Sequence, residues 1–296
     1  MDVLLPRMLD EALEQKAAHP EAVCLAGGTD VMVEINFGRA RPETIIDVSH
    51  LEELKGSRRE NGHWFLGAGE TYAQVIRTMA ELKPLVEASR SVGSPQIRNR
   101  GTVGGNLGTA SPAGDALPVL AAFDAEVVLA RGKRAGASGQ RSIPWNQFLK
   151  APKKTAIEND ELILGARWAH VRGPGSFSKI GTRNAMVISL VGLCLVVDED
   201  ARRVRVALGS VAPTIVRAPQ GEDFISQIMT EAGTWDDPSR AIPDAAWDEF
   251  ATRVAGAARP IDDVRGTAVY RTHACKVLAK RALAWALEER KLGTWL

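Results

Sequence analysis

The chain has 296 residues, 45% hydrophobic and 25% charged, enough length for about two globular domains. Its 37 basic and 36 acidic residues leave a net charge of +1. That near balance argues against a polyphosphate backbone as ligand, and the composition excludes a disordered chain, a collagen-like fibre and a disulfide-stapled miniprotein.

Residues 9–18 read as a helix. Residues 22–25 form a short strand that runs into Ala26-Gly27-Gly28-Thr29-Asp30, and 31–37 a short helix capped by Thr29 or Asp30. Strands are expected at 44–48 and 64–66, the second closed by Gly67-Ala68-Gly69. Thr71 starts a helix with Val75, Ile76, Met79 and Leu82 on one face, and 84–92 reads as another. Residues 101–115, which hold Gly101, Gly104, Gly105, Gly108 and Gly114, are too rich in glycine to be a regular helix or strand throughout. Asp115 is expected to cap a helix over 116–123, followed by a strand at 126–130. Residues 131–141, rich in glycine and in basic side chains, read as an exposed hairpin or loop.

Arg172-Gly173-Pro174-Gly175-Ser176 breaks the chain and marks the domain boundary. Beyond it, 177–182, 187–197 and 204–208 read as strands of an antiparallel sheet, and 219–265 as a mixed, polar segment. A final helix over 272–289 places Val277, Leu278, Ala282, Trp285 and Ala286 on a core-facing stripe.

Cys24, Cys194 and Cys275 are too far apart for a zinc knuckle or an iron–sulfur loop. Cys24 and Cys194 lie in apolar runs and read as buried apolar residues, a usage that fits a reducing cytoplasm. The longest apolar stretch, 186–197, is too short to span a bilayer, and the N-terminus lacks a secretory pattern, so a cytoplasmic protein is expected.

The glycine clusters carry the chemistry. A strand that turns into a helix through Gly27 and Gly28 exposes successive backbone amides at a helix N-terminus, which favours an anion such as phosphate. Thr29 adds a hydroxyl. The plainer alternative is a tight turn with a capped helix. Thr102-Val103-Gly104-Gly105-Asn106 repeats the pattern, and two such loops suit a dinucleotide. Neither is a Walker A sequence or a Rossmann fingerprint; Gly67-Ala68-Gly69 fails because Tyr72 stands where the third glycine belongs. The five histidines show no metal-ligand spacing, and no nucleophile elbow is present. Ser111 and Asp115 read as turn and cap residues rather than parts of a triad. Dinucleotide binding without acid–base or metal groups fits a flavin protein.

The stretches 25–31, 94–115 and 177–186, with the C-terminal 262–271, resemble the FAD-binding medium subunit of molybdenum hydroxylases, most closely that of bacterial xanthine dehydrogenases. The resemblance covers nearly the whole chain. It implies an α+β fold: a two-part FAD-binding domain of vanillyl-alcohol-oxidase (PCMH) type over 1–172, with subdomains of about 1–55 and 56–172, and a C-terminal domain over 173–296 with a three-stranded antiparallel sheet and helices.

It also implies roles. Leu25, Ala26, Gly27, Gly28, Thr29, Asp30 and Val31 match the first pyrophosphate loop, and Thr102, Val103, Gly104, Gly105 and Asn106 the second. Asp115 matches an acid on the ribityl or ribose side, Ile163 lies close to a position whose backbone contacts the flavin, and Lys179 matches a basic residue near the flavin ring. No residue of this chain is expected to be catalytic itself. Arg183 is expected to order its own loop. By the resemblance, the chain is the FAD-carrying electron-transfer subunit of a heterotrimer, or of a dimer of heterotrimers. Its partners would be a large molybdenum-cofactor subunit and a small subunit with two [2Fe–2S] clusters, and its acceptor NAD⁺ or another. Related complexes act on carbon monoxide, aldehydes, N-heterocycles or aryl-CoA thioesters. Rival readings are a self-sufficient FAD-dependent reductase, a binder of another phosphorylated ligand, and a scaffold without cofactor. Gly28→Val or Gly105→Val is expected to abolish flavin binding and leave the C-terminal sheet folded.

Overall fold

Residues Met1–Thr78, Val92–Ser111 and Asp124–Ala169 fold together, and Met79–Ser91, Pro112–Phe123 and His170–Leu296 form a second compact unit. The computed structural model describes residues 1–134 and 137–295. Residues 135 and 136, within the expected hairpin at 131–141, lie outside the described residues.

The first unit holds two principal sheets. Asp2–Leu4, Thr44–Asp47 and Val23–Leu25 form a parallel sheet with Thr44–Asp47 in the middle, where Ile45 and Ile46 are buried. The first glycine loop leaves the end of Val23–Leu25 and enters the helix Val31–Asn36. Five antiparallel strands follow in the spatial order Ser57–Glu60, His63–Gly67, Glu161–Ala169, Glu126–Arg134 and Ala137–Pro144. Helix Leu9–Ala18 covers this sheet, burying Ala12 and Leu13 with Leu54, Val128, Leu162 and Leu164. Cys24 packs only half-buried against that cluster, whereas Cys194 is fully buried.

Within 101–115 the structure does form regular helix in part, while 110–115 stays irregular. Val103–Thr109 is a helix with three glycines, and Pro95–Arg100 is another just before it. Glycine costs about 1 kcal/mol per helical residue relative to alanine. Tertiary bonds offset that cost: the first-turn amides of Val103 and Gly104 donate to the carbonyls of Glu70 and Ala68, at 2.9 and 2.8 Å. Gly104 also has no room for a side chain, since a Cβ there would lie 2.5 Å from that of Ala68.

In the second unit, strands Gly175–Ile180, Val191–Asp198 and Arg203–Gly209 form the expected antiparallel sheet, extended by a fourth, two-residue strand, Val216–Arg217. All eight residues of Val191–Asp198 are buried. A strand buried on both faces needs two covering layers. Val191, Leu193, Leu195 and Val197 face the core made with helices Pro219–Glu231, Asp244–Gly256 and Ala268–Leu292. The segments 79–91 and 112–123, expected within the 1–172 domain, group with this unit and line the sheet's other side: Gly175 meets Pro84, and Gly209 meets Pro118. Two helices therefore occupy the stretch read as mixed and polar. In the last helix Leu278, Ala282 and Ala286 are buried as expected, but Trp285 is 48% exposed.

Candidate functional site

The two glycine loops meet in the first unit. A Cβ on Gly27 would lie 1.9 Å from the carbonyl oxygen of Arg100, so only glycine permits the contact. A Cβ on Gly101, the next residue, would lie 3.5 Å from the Thr29 hydroxyl. Gly28 adopts φ +74°, a left-handed turn that glycine takes without strain. Among the described residues, the amides of Gly27, Gly28, Thr29 and Asp30 donate to no backbone carbonyl. Successive unpaired amides of this kind form an anion cradle.

Asp30 stands at the start of helix Val31–Asn36 but makes no side-chain capping bond. Its carboxylate instead accepts from Thr109 Oγ1 at 3.3 Å, tying the first loop to the end of the glycine helix. Lys153 adds a second tie, donating its amide to Ala110 and its ammonium to Glu34, which it holds below the usual carboxylate range.

The second loop works differently from the expectation. Its amides are already engaged: Val103 and Gly104 donate to Glu70 and Ala68, Gly105 to Thr102 Oγ1 at 3.0 Å, and Asn106 to the Thr102 carbonyl. Thr102 is thus the helix N-cap. What this segment offers is a bare face. Gly105 and Gly108, one turn apart, are both exposed, so a ligand can approach the helix backbone without meeting a side chain. Gly108 faces Ile163, whose Cδ1 would be 3.6 Å from a Cβ there. Asn106 Oδ1 is buried with no hydrogen-bond partner among the described residues, an acceptor that a ligand would satisfy. Four free amides, a bare glycine face and an orphaned acceptor fit a dinucleotide.

Leu25, Ala26, Gly27, Gly28, Thr29, Asp30, Val31, Thr102, Val103, Gly104, Gly105, Asn106 and Ile163 all belong to this unit. Sequence reading missed Arg100, Ala68 and Gly108. The Gly67-Ala68-Gly69 turn carries a signal for Ala68, though as the seat of the glycine helix and not as a phosphate loop: Cβ atoms at Gly67 and Gly69 would strike Leu54.

Asp115 and Lys179 belong to the second unit and meet each other. Lys179 Nζ lies 2.6 Å from Asp115 Oδ2 and donates to the Ser91 carbonyl at 3.0 Å. Ser91 Oγ donates to the same carboxylate oxygen at 3.0 Å, a role with no sequence signal. Asp115 precedes helix Ala116–Ala122 but does not cap it. Burial pushes its carboxyl above the usual range, against the pull of Lys179. The Lys179 charge is therefore matched by an acid and not free. Arg183 does order its loop, donating to the carbonyls of Ala185 and Met186. The described residues contain no cluster of metal-ligating side chains and no helix long and apolar enough to cross a membrane.

Comparison with known proteins accounts for both units. Residues 1–167 match the FAD binding domain in molybdopterin dehydrogenase, and residues 176–286 the CO dehydrogenase flavoprotein C-terminal domain. The chain belongs to this family of FAD-binding oxidoreductase subunits, the medium subunits of molybdenum hydroxylases. It is 28% identical to the xanthine dehydrogenase FAD-binding subunit of Escherichia coli O157:H7, over 94% of this chain and 93% of that one. It is 31% identical to the carbon monoxide dehydrogenase medium chain of Hydrogenophaga pseudoflava, over 90% of each. The solved carbon monoxide dehydrogenase of Oligotropha carboxidovorans shares the fold, with a TM-score of 0.85 at 23% identity over 97% of this chain and 98% of that one.

Proposed function

We propose that this chain is the FAD-carrying electron-transfer subunit of a xanthine dehydrogenase-type molybdenum hydroxylase. The observation that carries the cofactor reading is the cradle itself: four successive unpaired amides at 27–30 beside the bare face of Gly105 and Gly108. The choice of complex follows the resemblance carried by 25–31, 94–115 and 177–186. FAD supplies the redox chemistry when bound, with electrons entering from a [2Fe–2S] subunit and leaving to NAD⁺ or another acceptor.

The chain's own residues bind and orient. Amides 27–30 would donate to the pyrophosphate oxygens of a bound FAD, and the Thr29 hydroxyl would add a donor. Gly105 and Gly108 keep the approach to the glycine helix open, and Asn106 Oδ1 would accept a hydrogen bond from the cofactor. Thr102, whose oxygen caps the helix, holds that face in place. Ile163, Asp115 and Lys179 enter this reading through the family resemblance.

The test is purification of the tagged chain from its own host, with an absorbance spectrum and a gel of one sample, then turnover on xanthine, hypoxanthine, nicotinate, aldehydes and carbon monoxide. Flavin and iron–sulfur absorption with two further polypeptides, and reduction by xanthine or hypoxanthine, are expected. A sample that stays colourless after added FAD overturns the cofactor reading. Reduction only by another substrate moves the chain to a sister complex.

A further inference from the structure

The C-terminal segment Ile261 to Arg271 has no part in the cradle, yet it is held by a dense set of hydrogen bonds. Asp263 Oδ1 accepts from the amides of Arg265 and Gly266, at 2.8 and 3.2 Å, and from Arg271 Nη2 at 2.9 Å. Asp263 and Gly266 also exchange both backbone hydrogen bonds. Asp262 accepts from the amide of Ala268, and Thr267 caps the final helix through the amide of Tyr270. Arg271, only 4% exposed, anchors the turn from beneath by donating to the carbonyls of Leu190 and Ser210. Gly266 seats against Leu190, where a Cβ would come within 2.5 Å.

All this organisation presents apolar side chains to solvent. Val264, at the tip, is 100% exposed, and Ile261 and Val269 are 70% and 81% exposed. Tyr270 stands beside them, about half exposed, and the segment leading to Leu190 brings exposed Met186 and Ile188. A monomer gains nothing by fixing a valine in water. Holding an apolar tip in one conformation lowers the entropic cost of docking, which benefits an interface. The surrounding charge is basic. Arg183, Arg259 and Arg265 are exposed, Arg265 paired with Asp263 of the turn, and Asp262 is an exposed acid beside them. Arg183 and Arg259 make their hydrogen bonds to backbone carbonyls and not to carboxylates.

We propose that the turn centred on Val264 is a preformed docking knuckle for another subunit of the same complex, which receives it in an apolar hollow rimmed by carboxylates. The inference rests on the subunit reading above. Val264 is fully exposed, so Val264→Asp buries no charge and removes only the knuckle's apolar tip. Val269→Asp is a second variant: it lies in the first turn of a helix, where an acid is well tolerated.

The experiment purifies tagged wild type, Val264→Asp and Val269→Asp from the native host, and compares thermal melting, flavin content and co-purifying polypeptides. Both variants are expected to melt and bind flavin like wild type and to lose the partner polypeptides, with affinity down about thirtyfold, as for an interface hot spot. Partners retained at wild-type stoichiometry overturn the knuckle and leave the subunit reading standing. A wild type that purifies as one polypeptide overturns the subunit reading and the knuckle with it. A wild-type homo-oligomer that Val264→Asp dissociates, with other polypeptides still bound, replaces the proposed partner by a second copy of this chain.

Discussion

Gly27→Ala isolates the contact that brings the glycine loops together. The added Cβ would lie 1.9 Å from the Arg100 carbonyl oxygen, 2.5 Å from its carbon and 3.0 Å from the Gly101 α-carbon. All three are backbone atoms, so no rotamer change relieves the overlap. Reaching an ordinary contact of 3.4 Å opens the junction by 3.4 minus 1.9, or 1.5 Å. Overpacking of this kind costs about 1–3 kcal/mol and more where backbone must move. The shift falls on the loop that carries amides 27–30. We therefore expect a lower denaturation midpoint for the first unit and flavin content well below one per chain, read from the flavin absorbance of the unfolded protein. The second unit does not depend on this junction and should keep its own transition. Gly256→Ala serves as control: nothing lies within 4 Å of its Cβ position, and it closes a helix. It should leave flavin content unchanged and match or exceed wild-type stability. Full flavin content with an unchanged midpoint in Gly27→Ala would refute the claim that the loops are held by backbone contact.

Further predictions address the cap, the ion pair and the knuckle. Thr102→Ala leaves the amide of Gly105 without its acceptor and should cost about 0.5–2 kcal/mol by denaturant titration, with Thr102→Ser close to wild type. In the second unit, Asp115→Asn leaves the buried Lys179 ammonium without its counter-charge and should cost about 3–5 kcal/mol, while the double variant Asp115→Asn, Lys179→Met recovers part of it; a double-variant loss equal to the sum of the Asp115→Asn and Lys179→Met losses would show that the pair is not coupled. Asp263 is held down to about 2, first by the Arg265 amide and then by Arg271. A depressed carboxylate stabilises the fold above its unfolded value of 3.8, and that contribution is lost as pH falls toward about 2. Asp263→Asn should therefore flatten this part of the acid-unfolding curve; an unchanged acid limb would contradict the assignment.

Much of this protein was legible in its sequence because the signals are local. Helix Leu9–Ala18 follows from its apolar spacing, and the strand–glycine–helix order at 23–36 from the turn that Gly27 and Gly28 permit. The long central strand of the second sheet shows as a continuous apolar run. The helices at 219–231 and 244–256 were hidden in a polar stretch, although Pro219 at the first position of one marks its start. What the sequence could not supply is which backbone each glycine approaches. Val103–Thr109 is a helix because carbonyls of Ala68 and Glu70, more than thirty residues earlier, accept its first amides. That bonding leaves the second loop a bare face and the first loop the free amides, an asymmetry invisible when both read alike as glycine pairs. Asp115 and Lys179 likewise looked like two separate contacts until the fold paired them across 64 residues. Local conformation depends on neighbours along the chain, which a sequence states. Close approach depends on neighbours in space, and only the packed tertiary structure decides those.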